Sequence, residues 1–219
     1  MFVGILGFIG SGKGTVGDIL SDVGFEKISF ASHLKDVTSV MFGWDRNLLE
    51  GDTDESREFR EKVDTFWSDK LGRKFTPRLA LQLMGTEVGR NVFGENIWIH
   101  SLENKIKDVS KHYVVTDVRF QNEIDWIRKQ KGILIEIRRG KLPLWYNVAS
   151  EANNGCQHSI SIMKDIEIHE SEWKWINKQN VDHVVRNDGT LEDLRESMIL
   201  CLKMFYGYDM IDELTIGVL

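Results

Sequence analysis

The chain has 219 residues, and its formal charge of −6 comes from acidic and basic residues mixed along its length. That balance excludes the dense Lys/Arg surface by which a general nucleic-acid binder neutralises phosphates, so no polymeric nucleic acid is expected as a partner. A chain this long buries most of its apolar surface without disulfides or structural metals. With only Cys156 and Cys201 there is no disulfide framework, no apolar stretch approaches membrane-spanning length, and no charged region precedes the N-terminal apolar run, which together predict a cytoplasmic protein with no membrane partner.

Phe2–Leu6 is an apolar run that reads as a buried strand, and it leads into GFIGSGKGT, Gly7–Thr15, ahead of a predicted helix. Lys27–Phe30 is a weaker strand. It runs into a helix for which Ser32 or His33 is the candidate cap, with Lys35 and Asp36 in the first turn. Residues 44–76 are crowded with charge and predict mobile, solvated helices. Thr76-Pro77 is a helix start, with Thr as cap and Pro at the first helical position. Gln82, Thr86 and Arg90 then recur at four-residue steps, which sets them on roughly one face. Tyr113–Thr116 and Ile133–Ile137 read as further buried strands, the second ending in Arg138 and Arg139. Residues 140–180 are polar and irregular with scattered aromatics. His183–Val185 is the last strand. Thr190-Leu-Glu-Asp193 then resembles a capping box and opens a helix whose apolar face is Leu191, Leu194, Met198, Cys201, Leu202 and Phe205. Nearly continuous apolar strands alternating with helices predict an α/β fold with a parallel sheet and right-handed crossovers. Tyr206–Leu219 carries no assignment.

The glycine-rich stretch has the context of a phosphate-binding loop, between a strand and a helix. Gly7, Gly10, Gly12 and Gly14 leave the backbone free to turn its amides inward, and the following helix N-terminus adds its own. Gly10, Ser11, Gly12, Lys13, Gly14 and Thr15 are therefore candidate nucleotide ligands, with Lys13 reaching the β- and γ-phosphates. Gly14 stands where a metal-binding hydroxyl is usual, so Mg²⁺ would be held mainly by phosphates and waters, and Thr15 would take the α-phosphate. The Lys-Gly-Thr ending resembles adenylate kinase and related nucleoside monophosphate kinases.

Phosphoryl transfer between two anions needs a second cluster of positive charge. Asp117, at the end of a buried strand, can orient metal-bound water, and Arg119 lies two residues on. Arg138 and Arg139 at the start of the 140–180 segment suit clamping of phosphate. The flat rings of Trp44, Phe59, Trp67, Trp98 and Trp145 slightly favour a base as acceptor.

FASHLKDVTSVMFGWDRNLLEG, TPRLALQLMGTEVGRNVFGENIW, TDVRFQNE and HESEW…DHVVRNDGTLEDL, spread over most of residues 1–195 in order, resemble the deoxynucleoside monophosphate kinases of tailed bacteriophages. The resemblance implies a P-loop NTPase of the nucleoside monophosphate kinase type: a five-stranded parallel sheet with helices on both faces, a monophosphate-binding insert and a lid. On this chain the core would be about 1–43, 97–139 and 181–206, the insert about 44–96 and the lid about 140–180 of one kinase domain. It implies ATP and Mg²⁺ as cofactors and a deoxynucleoside monophosphate as substrate, in the host cytoplasm for a phage-encoded protein. Lys13, Asp117, Arg119 and Arg90 would carry the transfer, with Asp117 on the metal through water. Lys35, Asp36, Arg78, Gln82, Thr86, Glu87, Arg90 and Trp98 would surround the acceptor, with Arg138 and Arg139 at the lid and Asn187 and Gly189 beside the adenine. A homodimer is compatible with the sequence. The competing expectations are a kinase of another phosphorylated metabolite, phosphomevalonate kinase-like, and a nucleotide-binding module without catalysis.

Overall fold

Five short apolar strands organise the chain in a computed structural model that describes residues 1–108, 110–166, 168–176 and 181–216. In chain order, strand β1 (Phe2–Leu6) leads into helix α1 (Lys13–Ser21), strand β2 (Phe25–Ile28) and helix α2 (Ser32–Phe42). Helices α3 (Asp54–Glu61), α4 (Thr65–Leu71), α5 (Pro77–Gln82), α6 (Asn91–Phe93) and α7 (Ile97–Lys105) follow, with a π-helix over Leu83–Arg90 between α5 and α6. Strand β3 (His112–Val115), helix α8 (Gln121–Lys129) and strand β4 (Ile133–Arg138) come next. Helices α9 (Tyr146–Asn153) and α10 (Gln157–Asp165), strand β5 (His183–Arg186) and helices α11 (Leu191–Tyr206) and α12 (Tyr208–Ile216) complete the described chain. Residues Phe30–Lys107 form one compact unit; Met1–Ser29 and Asp108–Leu219 form the other.

The sheet unit has the order β2-β3-β1-β4-β5, with every neighbouring pair parallel. Val3, Ile5, Val114, Ile135, Ile137 and Val185 of one face bury Val16, Ile19 and Leu20 of α1 and Leu194, Met198 and Leu202 of α11. On the other face, a Cβ at Gly4 would lie 2.7 Å from Leu134 and 3.2 Å from Ile127 of α8, so only glycine lets that helix approach the sheet. Phe2 meets Trp126 of α8 edge-on, with centroids 5.4 Å apart. Helices thus cover both faces, as apolar strands without alternation demand. The weak strand expected at Lys27–Phe30 lies earlier, at Phe25–Ile28, where Phe25 and Ile28 are buried and Glu26 and Lys27 exposed. Thr190 and Asp193 do form the reciprocal cap of α11. The irregular segment expected at 140–180 contains α9 and α10; residues 167 and 177–180 of it, and 217–219 of the tail, lie outside the described residues.

The helical unit corrects two expectations. The charged stretch 44–76 is built on an aromatic core, Phe42, Trp44, Phe59, Trp67 and Phe75, with Trp44 only 9% exposed. Trp44 Nε1 donates to Asp64 Oδ2 at 2.8 Å and Trp67 Nε1 to the Phe42 carbonyl at 3.0 Å. Trp44, Phe59 and Trp67 are therefore packing residues, and the charges of α3 and α4 face outward from them. Helix α2 begins after Ala31 without a side-chain cap, and His33 Nδ1 instead pairs with Ser101 Oγ at 2.5 Å. Thr76 does cap α5, accepting from the Leu79 amide at 3.1 Å. That helix widens to i→i+5 bonding after Gln82, where Trp98 Nε1 takes the Gly85 carbonyl at 2.8 Å. A Cβ at Gly89 would lie 2.6 Å from the Trp98 ring, so the glycine makes room for the indole. Such single π-helical turns are frequent at functional sites.

Candidate active site

The carboxyl ends of four adjacent strands carry the candidate residues of the sheet unit. The loop Gly7–Gly12 follows β1, Asp117 and Arg119 follow β3, Arg138 ends β4 and Asn187 follows β5. Ligands of open parallel sheets bind at this edge, where the chain turns to opposite sides of the sheet.

The loop is built to receive an anion. Gly12 precedes α1 at φ +103°, and no side chain caps that helix among the described residues, so its first amides keep their bonding capacity. The Ser11 hydroxyl is buried and has no hydrogen-bond partner among the described residues. A buried hydroxyl left so costs stability unless a ligand completes it. Lys13 folds back, its ammonium donating to the carbonyls of Gly7 at 2.7 Å and Phe8 at 2.8 Å. Burial, and then the Arg119 charge, push its pKa down from 10.5 to about 7, while Glu172 and Asp117 pull the other way. Thr15 is exposed at the first turn of α1. Asn187 ties the loop to β5: its side-chain amide donates to the Ser11 carbonyl at 2.9 Å, and its backbone N–H donates to the Arg138 carbonyl at 2.7 Å.

Asp117 and Arg119 are held from several directions. Ser29 Oγ donates to Asp117 Oδ2 at 2.7 Å. Glu123, 3% exposed, accepts the backbone N–H of Arg119 at 2.7 Å and of Phe120 at 3.1 Å. The Arg119 guanidinium donates to Glu172 Oε1 at 2.9 Å and to the Ser171 carbonyl at 3.3 Å. Glu172 was not singled out from the sequence, although it lies within the HESEW stretch that carried part of the resemblance. The segment around it is seated on the loop through rings. Phe8 meets Trp175, Trp145 and Tyr146 with centroids 4.9, 5.6 and 6.1 Å apart. Asn153 of α9 donates to the carbonyls of Trp173 at 2.9 Å and Ile176 at 2.8 Å, which fixes that turn. No periodicity in residues 140–180 pointed to these contacts.

The expected lid arginines differ from each other. Arg138 forms a two-pronged pair with the buried Glu136, at 2.6 and 2.8 Å, and donates to the Tyr146 hydroxyl at 3.2 Å. Arg139 is exposed, beside Asp188. Gly189 lies against Asp193, which accepts from Thr190 in the cap of α11.

In the helical unit, Lys35 pairs with Glu50 at 2.6 Å and Asp36 with Arg46 at 2.5 Å, while Arg46 also reaches Glu50. Arg78 pairs with Glu61. Arg90 is 8% exposed and donates to the Glu95 carbonyl at 2.8 Å. Gln82 and Thr86 are half-buried and Glu87 is exposed. Gln82 precedes the π-helix, Thr86 lies within it and Arg90 is its last residue. Among the described residues, no three His, Cys, Asp or Glu side chains gather as a metal site. Asp117, a carboxylate that acts electrostatically on Lys13, is a donor suited to a cation that brings phosphate and water ligands with it. No helix among the described residues is long and apolar enough to cross a membrane.

No family model matches the chain. A solved structure, shikimate kinase from Aquifex aeolicus, aligns over 94% of this chain and 98% of its own at 13% identity and a TM-score of 0.42. Two curated relatives are closer in sequence. A 55-residue stretch, 25% of this chain and 22% of the relative, is 49% identical to the deoxynucleoside-5′-monophosphate kinase of Escherichia phage T5. Over 215 residues, 92% of this chain and 96% of the relative, it is 29% identical to a protein of Acanthamoeba polyphaga mimivirus that bears the provisional name deoxynucleotide monophosphate kinase. The chain is therefore similar to viral proteins named as deoxynucleoside monophosphate kinases, along nearly its whole length in one case and in a short, closely matching stretch in the other.

Proposed function

We propose that this protein transfers a phosphoryl group from ATP to deoxynucleoside 5′-monophosphates, giving the diphosphate and ADP. The observation that carries the reading is the loop after β1, in which the buried Ser11 hydroxyl has no partner among the described residues and the Lys13 ammonium rests on two loop carbonyls. Both groups are suited to phosphate oxygens, and the names of the two viral relatives support a nucleotide acceptor.

In this reading the amides of Gly10–Thr15, the Ser11 hydroxyl and Lys13 hold the phosphates of ATP, with Thr15 at the α-phosphate and Asn187 and Gly189 beside the adenine. Lys13 leaves the carbonyls of Gly7 and Phe8 and turns its ammonium to the transferring group, where anionic oxygens keep it protonated. Asp117 would hold, through water, the Mg²⁺ that accompanies ATP, and that ion would supply neutralisation of phosphate charge. Arg119 offers its guanidinium to the same oxygens, so charge is matched by groups already in place and no covalent enzyme intermediate is needed. Lys35, Asp36, Arg78, Gln82, Thr86, Glu87, Arg90 and Trp98 of the helical unit recognise the acceptor, with Arg90 on its phosphate. Arg139 screens phosphate from the lid segment, while Arg138, engaged by Glu136, braces it. The whole chain acts as one kinase domain, works on small molecules in the cytoplasm, and needs no nucleic-acid polymer or membrane. The test is ADP formation from Mg·ATP with each of the four deoxynucleoside monophosphates in turn. Turnover with at least one, above the rate with ATP alone, is the expected result; folded protein that binds ATP and transfers to none refutes it.

A further inference from the structure

We propose that Glu172 is the positioning residue for Arg119, so that the turn carrying it sets the geometry of phosphoryl transfer. The inference rests on the proposed ATP-dependent activity and adds a residue to it. Four observations in the sheet unit converge.

The Arg119 backbone is fixed by the buried Glu123 carboxylate, at 2.7 Å. What remains free in such a residue is the long side chain, and one of its terminal nitrogens donates to both Glu172 Oε1 and the Ser171 carbonyl, at 2.9 and 3.3 Å. A guanidinium carries five N–H groups in a rigid fork. With one nitrogen anchored, the opposite edge, Nε and Nη2, has the shape that meets phosphate oxygens two at a time.

The pair lies where the charge is needed. Arg119 and Glu172 are 30% and 18% exposed, and both act electrostatically on Lys13, the first lowering and the second raising its proton affinity. Glu172 thus offsets the repulsion between two neighbouring cations before any phosphate arrives.

The turn is itself anchored to the nucleotide loop. Trp175, three residues after Glu172, packs on Phe8 and donates from Nε1 to the Glu172 carbonyl at 3.0 Å. Asn153 clasps the same turn through two carbonyls. A seated turn therefore presents Glu172, and Glu172 presents Arg119. Holding a charged group ready spares its reorganisation during reaction.

The test is a double-mutant cycle on the full chain with wild type, Glu172→Ala, Arg119→Ala and the double variant, and Glu172→Gln beside them. Two readouts are taken: kcat and KM with an accepted deoxynucleoside monophosphate, and the ratio of ADP to ATP dissociation constants by calorimetry. Glu172→Ala is expected to lower kcat about tenfold or more with acceptor KM within about threefold, because only transition-state contacts are lost. Glu172→Gln, which keeps an acceptor oxygen, is expected to recover part of that loss. In the Arg119→Ala background the same Glu172→Ala change should alter kcat less than about twofold. The preference for ATP over ADP should fall in Glu172→Ala to the level of Arg119→Ala. Equal losses with and without Arg119, or an unchanged preference for ATP, would overturn the proposal. If wild type transfers to no acceptor, the proposed function fails, while the nucleotide-preference cycle still decides the role of Glu172. Glu172→Ser replaces Glu172→Ala in the same cycle if the alanine variant does not fold.

Discussion

Gly12→Ala probes the loop most directly, because two separable costs meet at that residue. Its backbone is left-handed, at φ +103° and ψ 16°, and an alanine there costs about 1–2 kcal/mol of conformational strain. An added Cβ would also overlap the amide nitrogen of Asn187, whose bond to the Ser11 carbonyl, 2.9 Å long, must then break. Losing that bond adds about 1 kcal/mol. The sum is about 2–3 kcal/mol. Gly10→Ala is the internal control: its φ is +76° and nothing among the described residues lies within 4 Å of the added carbon, so it should cost only the strain, about 1–2 kcal/mol. Asn187→Ala alone should cost about 1 kcal/mol, and adding it to Gly12→Ala should cost almost nothing more, since the bond is already gone. Urea unfolding followed by circular dichroism gives each value from the shift in midpoint. The reasoning fails if Gly12→Ala destabilises no more than Gly10→Ala, or if the double variant is fully additive.

Three further expectations concern charge. With a Lys13 pKa of about 7, the ligand-free protein at pH 8 holds only about a tenth of a proton there, and phosphate oxygens should restore it. Binding of ATP at pH 8 is therefore expected to take up about 0.9 proton, measured by calorimetry in buffers of different ionisation enthalpy, and the uptake should vanish in Lys13→Met. The same lysine has its folded pKa depressed, so the unfolded chain binds more protons between pH 7 and 10.5 and ligand-free stability should rise with pH across that window. Urea midpoints at several pH values check this against Lys13→Met, which should flatten the rise. For the Arg138–Glu136 pair, removing the arginine strands a carboxylate that is 3% exposed, whereas removing the carboxylate strands a guanidinium that is 21% exposed. Arg138→Ala should therefore destabilise by about 1 kcal/mol or more beyond Glu136→Gln in urea unfolding; equal losses would contradict the assignment of Arg138 as a brace.

The centre of the parallel sheet was legible because β1, β3 and β4 are short, apolar and buried, a signal that needs no partner to be read, whereas the edge strand β2, with Glu26 and Lys27 exposed, was placed too late. The loop after β1 was legible for the same reason: Gly7–Thr15 is continuous in sequence and its context is local. Trp44, Phe59 and Trp67 were misread because a tryptophan that closes a small aromatic core looks, in sequence, like one that stacks on a base. The cap of α2 was misread because Ser32 and His33 each have the right chemistry, yet the turn begins at Ala31 and His33 is drawn away by Ser101. Glu172 and Phe8 escaped notice because their importance comes from residues far along the chain: Glu172 is 53 positions from Arg119, and Trp175 reaches Phe8 through folding alone. Motif order placed the 168–176 turn in the right family of features, but only packing shows which of its carboxylates meets an arginine.

The central measurement is a comparison of wild type and Lys13→Ala for ADP formation from Mg·ATP with dAMP, dCMP, dGMP and dTMP. Wild type is expected to turn over at least one of the four, and Lys13→Ala to turn over the same acceptor at least roughly tenfold more slowly, a barrier difference of about 1.4 kcal/mol or more. Folded wild-type protein that yields no ADP with any of them, or a Lys13→Ala rate equal to wild type, would contradict a kinase built on this loop.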